Sequence, residues 1–245
     1  MSIGSSSNPF MKESYFENIS ADNQSMTVEG TISKTLILIF SAIFAASFSW
    51  KLVLDNPASM NSLVTIGGIS GLCLALITAF RPNLSPYTAV PYSLAEGVAL
   101  GAISAILNRI YPGIALNAVL ITFSVLLIML ALFRTGVIQA TERFRSVVIT
   151  ATIGIAFASL LSFALYFMGI GMHLYSTGIY GLLFCVFVCI IAALNLIIDF
   201  DVIIRGAESN SPKYMEWFAS FGLMVTLVWL YIEILRLLSI LSRKR

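Results

Sequence analysis

The sequence predicts an all-α integral membrane protein, a seven-transmembrane-helix bundle, on three observations. The first is composition: of 245 residues, 58% are hydrophobic and 11% charged, where a soluble domain carries roughly 45–50% apolar and about 25% charged residues. Mean hydropathy is +0.93. The second is a series of apolar runs of about 20 residues, the length that crosses a hydrocarbon core of roughly 30 Å. The third is that these runs are continuously apolar, without the alternation that marks a transmembrane β-barrel. Such a composition excludes nucleic-acid readers, soluble Rossmann enzymes and secreted disulfide scaffolds. The net charge of +2 is too small to imply a polyanionic partner such as nucleic acid; the lipid bilayer is the partner the composition demands.

In chain order, residues 1–31 read as a polar, flexible N-terminal tail, rich in Ser and Asn as in Ser5-Ser6-Ser7-Asn8-Pro9. No apolar stretch with a small-residue cleavage site follows a basic start, so no cleaved signal peptide is expected. The transmembrane domain is expected over 32–245. Its spans run from Ile32 to Leu54, Ser62 to Phe80, Thr88 to Leu107, Ile114 to Phe133, Val147 to Met168, Gly178 to Asp199 and Phe218 to Leu241. Pro57, Pro82 with Pro86, Pro112-Gly113, Gly169-Ile170-Gly171 and Ser211-Pro212 separate them, residues suited to tight interhelical turns. A cytoplasmic N-terminus gathers Lys12, Lys34, Arg81, Arg134, Arg143, Arg145, Arg205 and Lys213 on that side, against Lys51, Arg109, Arg243, Lys244 and Arg245 on the other. The positive-inside rule therefore favours that orientation, although the basic end pulls the other way.

Cys73, Cys185 and Cys189 all lie in apolar runs, an odd, membrane-embedded set that argues against a disulfide framework. Cys185 and Cys189 share a helix face and read as small packing hydrophobes. The only histidine, His173, falls in a loop, so neither a metal centre nor any other cofactor is expected.

A charge at a helix centre costs about 2.5–3.5 kcal/mol on insertion scales, which makes each intramembrane acid a candidate site. Glu96 lies midway along the third span without a basic residue three or four positions away. It reads equally as a functional acid or as a neutral one bonded to nearby backbone. Gly97 and Gly101 beside it form a step that lets another helix approach. At the end of the sixth span, Asp199 and Asp201 point to opposite sides of a helix. Asp201 has Arg205 four residues on and reads as a solvated helix end. Asp199 has Ile203 there and Asn195 four residues before, so it is the inward-facing acid in need of a tertiary partner. In the seventh span Gly222, Thr226, Trp229 and Glu233 share a stripe, and Arg236 stands three residues after Glu233. Either the stripe faces the bundle interior, or Glu233 and Arg236 neutralise one another near the interface with Arg236 snorkelling outward.

No nucleophile, base and orienting group converge, so the chain is not expected to be an enzyme. Gly68-Ile69-Ser70-Gly71 matches the serine motif of intramembrane proteases, but His173 in its loop is poorly placed as the base. The last span has no interior lysine for a retinal Schiff base.

The whole arrangement resembles the Bax-inhibitor family, the transmembrane Bax-inhibitor-motif proteins, and within it the bacterial branch with a longer N-terminal tail. The likeness is carried by Met26-Thr27-Val28-Glu29-Gly30 with Lys34-Thr35, Ala95-Glu96-Gly97 with Leu100-Gly101-Ala102-Ile103-Ser104, and Tyr111-Pro112-Gly113-Ile114. Phe133-Arg134-Thr135-Gly136, Asp199-Phe200-Asp201, Met215-Glu216-Trp217 and Trp229-Leu230-Tyr231-Ile232-Glu233-Ile234-Leu235-Arg236 continue it. The resemblance implies six helices around a central seventh and a pH-sensitive calcium leak channel, located in a bacterial inner membrane. It also implies a sensor of two acids, from spans six and seven, that share a proton beside a basic residue near span two. Asp199 matches the first acid and Arg81 is the nearest match to the base. Two alignments of span seven are open: one puts Glu233 at the second acid's position, the other puts Thr226 there. Two carboxylates close together in a low dielectric cannot both ionise, so such a pair titrates as a unit. Once ionised, Asp199 and Glu233 would offer passing calcium or another cation its preferred oxygen contacts. Two other readings stand beside the channel: a proton-coupled small-solute transporter with Glu96 as carrier acid, and a non-conducting regulator that binds a membrane-protein partner such as a protease.

Overall fold

A computed structural model describes residues 25–168 and 178–243. Among them are seven helices long and apolar enough to cross a membrane: α1 (Val28–Asp55), α2 (Ser59–Phe80), α3 (Ser85–Ile110), α4 (Ile114–Arg134), α5 (Glu142–Phe167), α6 (Ile179–Glu208) and α7 (Met215–Ser242). The all-α membrane bundle expected from composition is what the chain forms.

Local chemistry sets the helix ends. Thr27 caps α1, its hydroxyl accepting from the Gly30 N–H at 3.0 Å, the arrangement that satisfies an otherwise orphan amide. Thr141 caps α5 in the same way, accepting from Phe144 N–H at 3.2 Å. Pro82 opens a short 3₁₀ turn and Pro86 sits in the first turn of α3, where a missing N–H costs nothing. Gly113 enters α4 with φ 86°, a conformation that glycine adopts freely, and its N–H donates to Asn108 Oδ1 at 3.0 Å.

Helices run beyond their apolar runs, α5 starting at Glu142, five residues before the expected Val147, and two such differences bear on the site. The polar residues 25–31, read as tail, are structured: the Met26 N–H donates to the Ser211 carbonyl at 2.8 Å, and α1 starts four residues earlier than its apolar run. The sixth helix does not end at Asp199 but continues to Glu208, so Asp199 is a mid-helix residue. Apolar run length marks the hydrocarbon depth of a helix, not its end, because polar turns continue beyond the lipid. Residues 1–24, His173, Lys244 and Arg245 lie outside the described residues.

The last helix is the axis of the bundle. α7 has the largest buried share of any span and packs directly against α1, α3, α4 and α6. The other two sit outside that ring: α2 packs chiefly on α3, and α5 on α6. Leu196, Ile197, Leu230 and Leu235, each nearly inaccessible, form the α6–α7 core. Between α1 and α3 the packing is closer. A Cβ at Gly97 would overlap the Ala42 backbone, and one at Gly101 the backbone of Ala46 and the Ser49 hydroxyl. Gly67 approaches Ala95 and Ala99 of α3 in the same manner. Small residues let membrane helices approach this closely.

Candidate functional site

Of the stripe of Gly222, Thr226, Trp229 and Glu233 on α7, the last three face α6, while a Cβ at Gly222 would meet nothing within 4 Å; the polar members meet α6 at two separate levels. At the first, near the midpoint of α7, the Thr226 side chain lies beside Asp199. Its carboxylate oxygen Oδ2 is buried, with no hydrogen-bond partner among the described residues. The Thr226 hydroxyl also lies 3.3 Å from the Gly222 carbonyl. The hydroxyl donates its single proton there.

The second level holds Glu233, 3% exposed. Arg236 Nη1 donates to both its oxygens, at 2.8 and 3.0 Å, and Cys185 Sγ of α6 lies 3.8 Å from Oε2. Both readings of the stripe therefore hold together: Glu233 faces inward and is neutralised on its own helix. Cys185 and Asp199 are separated by about 21 Å of α6 at 1.5 Å per residue. The structure consequently does not bring Asp199 and Glu233 together, and of the two open alignments it places Thr226, not Glu233, opposite Asp199. Nor does it assemble a calcium site from the pair. Among the described residues there is no cluster of three or more His, Cys, Asp or Glu side chains able to hold a metal ion.

Asp201 faces the opposite way, as its spacing from Asp199 demands, but it is not a solvated helix end. Its side chain is 15% exposed and pairs with Arg145 of α5 as well as with Arg205 at 3.0 Å. Asn195 Nδ2 donates to Thr152 Oγ1 of α5 at 2.8 Å. The polar stripe expected through Asn195 thus turns toward α5, and it fastens that outer helix to α6.

Arg81 is exposed at the C-cap of α2. Ser85 donates to the Tyr214 carbonyl at 3.1 Å, which holds this turn beside the start of α7, about 18 Å of helix from Thr226. Arg81 is therefore not brought to Asp199. A half-buried basic residue on this side of the molecule is Lys34 of α1, paired with Glu216 at the start of α7. Glu216 is 0% exposed. It also accepts from Lys213 at 2.9 Å and from the Thr27 N–H and hydroxyl at 2.8 and 2.9 Å, while the Lys34 ammonium stands 5.5 Å over Trp217. Met215-Glu216-Trp217 carries part of the family likeness, but the sequence alone assigns Glu216 no role. The available signal was Thr27, Gly30 and Lys34 preceding the first apolar run, since a buried acid at the head of a helix needs such donors.

Glu96 lies across the α2–α3 contact, with Oε1 2.7 Å from where a Cβ at Gly71 would be. The Ser70 hydroxyl donates to the Ile66 carbonyl of its own helix at 2.6 Å, as a packing serine does.

A bundle of seven apolar helices around its last one, with a buried acid at the contact between the sixth and the seventh, is a membrane protein whose polar chemistry lies within its spans. A family profile described as Bax inhibitor 1 like matches residues 8–243, and the chain belongs to that family. No curated protein and no solved structure matches it.

Proposed function

We propose that this protein is a pH-sensitive leak channel for cations, calcium foremost, gated by protonation of Asp199. The observation that carries the reading is Oδ2 of Asp199, buried beside Thr226 with no partner among the described residues, at the contact between the axial helix and α6. A buried carboxylate oxygen with no donor is costly while charged, so it is a place where either a proton or a cation is bound. A protonated Asp199 can donate to Thr226 Oγ1, whose own proton goes to the Gly222 carbonyl, and that chain of bonds holds α6 against α7. Loss of the Asp199 proton leaves a charge that draws water and a hard cation, for which oxygen ligands are preferred. With one carboxylate and one hydroxyl in place of two acids, the ion meets a weak passage point, as conduction requires. The seven-helix architecture and the family membership support the reading. The charge pattern of the loops supports a cytoplasmic face at the start of α1, and the resemblance to the bacterial branch supports an inner-membrane location without resident cofactor or catalysis.

The test is flux into liposomes carrying the purified protein and a trapped calcium dye, followed between about pH 6 and 8. A pH-dependent leak is expected in the native chain, and Asp199→Asn is expected to remove its pH dependence. Unchanged flux and pH response in Asp199→Asn would end this reading. Liposomes silent at every pH, with folded protein, would favour a non-conducting regulator of a membrane partner.

A further inference from the structure

α1 and α4 both pack on α7 but do not close on each other. Between them, floored by α3 and α7, is a cleft of about 540 Å³. Ile39, Ser47 and Trp50 line it from α1, Leu116 and Val119 from α4, and Tyr231 from α7. Its rim belongs to the outer surface of the bundle: Ile43 is 49% exposed, Leu116 64% and Val119 37%. All four helices are membrane spans, so the medium at that rim is hydrocarbon.

The lining hydroxyls have partners within the protein. Ser47 donates to the Ile43 carbonyl at 2.8 Å, Thr122 to the Ala118 carbonyl at 2.7 Å, and Ser104 and Tyr231 bond each other at 2.7 Å. Water entering the cleft would find few free groups to bond, and water in a cavity needs two to four polar partners. An empty cleft of this size would forfeit the dispersion contacts of its whole lining. A hydrocarbon chain fits both constraints. Its length fits as well: from Ile39 to Trp50 the cleft follows about 16 Å of α1, half of the roughly 30 Å core and so the depth of one leaflet. Trp50 stands at the end where α1 finishes and α4 begins, the interfacial level that indole rings favour.

We propose that the cleft between α1 and α4 binds one acyl chain of a phospholipid from the leaflet on the Trp50 side, and that this chain completes the wall around α7. The bound chain contacts the Ser104–Tyr231 pair and couples the lateral position of α4 to that of the axial helix. The site is independent of whether the protein conducts ions.

The test takes the full chain in nanodiscs of phosphatidylethanolamine and phosphatidylglycerol and releases it for native mass spectrometry. One phospholipid is expected to survive release on the native protein. Val119→Trp and Ser47→Phe, which fill the cleft, are expected to lose it, while Phe157→Trp on the lipid-facing side of α5 retains it. Delipidation is also expected to lower the melting temperature of the native chain more than that of Val119→Trp. If Val119→Trp does not fold, Leu116→Trp at the rim takes its place. Equal phospholipid retention in the filled variants, no retained lipid on the native chain, or adducts of detergent or free fatty acid mass alone would each overturn the proposal.

Discussion

Asp199 and Asp201 stand two residues apart on one helix, yet one faces the molecular axis and the other an outer helix. The alternation follows from helical geometry and was legible in the sequence, as was the local Asp201–Arg205 pair. What the sequence left open was the partner across the interface. Glu233 and Thr226 lie on the same stripe of α7, two turns apart, so sequence spacing admits either; only the crossing of α6 over α7 selects Thr226. The arrangement makes a quantitative prediction. In a double-mutant cycle of Asp199→Asn and Glu233→Gln, effects on melting and on flux are expected to add within about 0.3–0.5 kcal/mol, as for sites without shared partners. A larger interaction energy would mean that the two acids form a dyad after all. Thr226→Val, which removes the hydroxyl beside Asp199, is expected to displace the pH profile of the flux while costing no more than about 0.6 kcal/mol in stability, the average for an interhelical hydrogen bond in a membrane. Thr226→Ser, which keeps the hydroxyl, should restore the native profile.

At the scale of elements, every span was legible, because a 20-residue apolar run has few alternatives. The order of packing was not, since lipid-facing and protein-facing residues of a membrane helix are alike in hydrophobicity. Only the small residues betrayed an interface. The Gly97–Gly101 step identified a close approach, and the structure assigns its partner as α1 through Ala42, Ala46 and Ser49. Gly101→Leu is therefore expected to separate α1 from α3, at the cost of about 1–3 kcal/mol or more that overpacking carries. Thermal unfolding followed by size-exclusion chromatography checks it, with Gly68→Leu as the control, since a Cβ at Gly68 meets nothing within 4 Å. A Gly101→Leu variant as stable as the native chain would contradict the tight α1–α3 contact.

For the whole molecule, the Glu216 cluster joins three parts distant in sequence: the turn before α1, α1 itself through Lys34, and the loop entering α7. Glu216→Gln removes the charge and leaves Lys34, whose side chain is 16% exposed, without its counter-ion. Breaking a buried pair on one side costs about 3–5 kcal/mol, and the loss is expected as a lower melting temperature in nanodiscs. Lys34→Met/Glu216→Gln, which removes both charges, should recover part of it. A Glu216→Gln protein that melts like the native one would reduce the cluster to a surface feature.

Placing the axis of the bundle in the last of seven helices has a consequence for biosynthesis. Until α7 enters the bilayer, α1, α3, α4 and α6 have no common surface to close upon, and positions that pack on it, Asp199 among them, face lipid or the insertion machinery. A chain arrested before Met215 is then an α1–α2–α3 group and an α4–α5–α6 group without the helix that joins them, a substrate for membrane quality control. Maturation ends in a late event, in which arrival of the final span draws the preformed groups together.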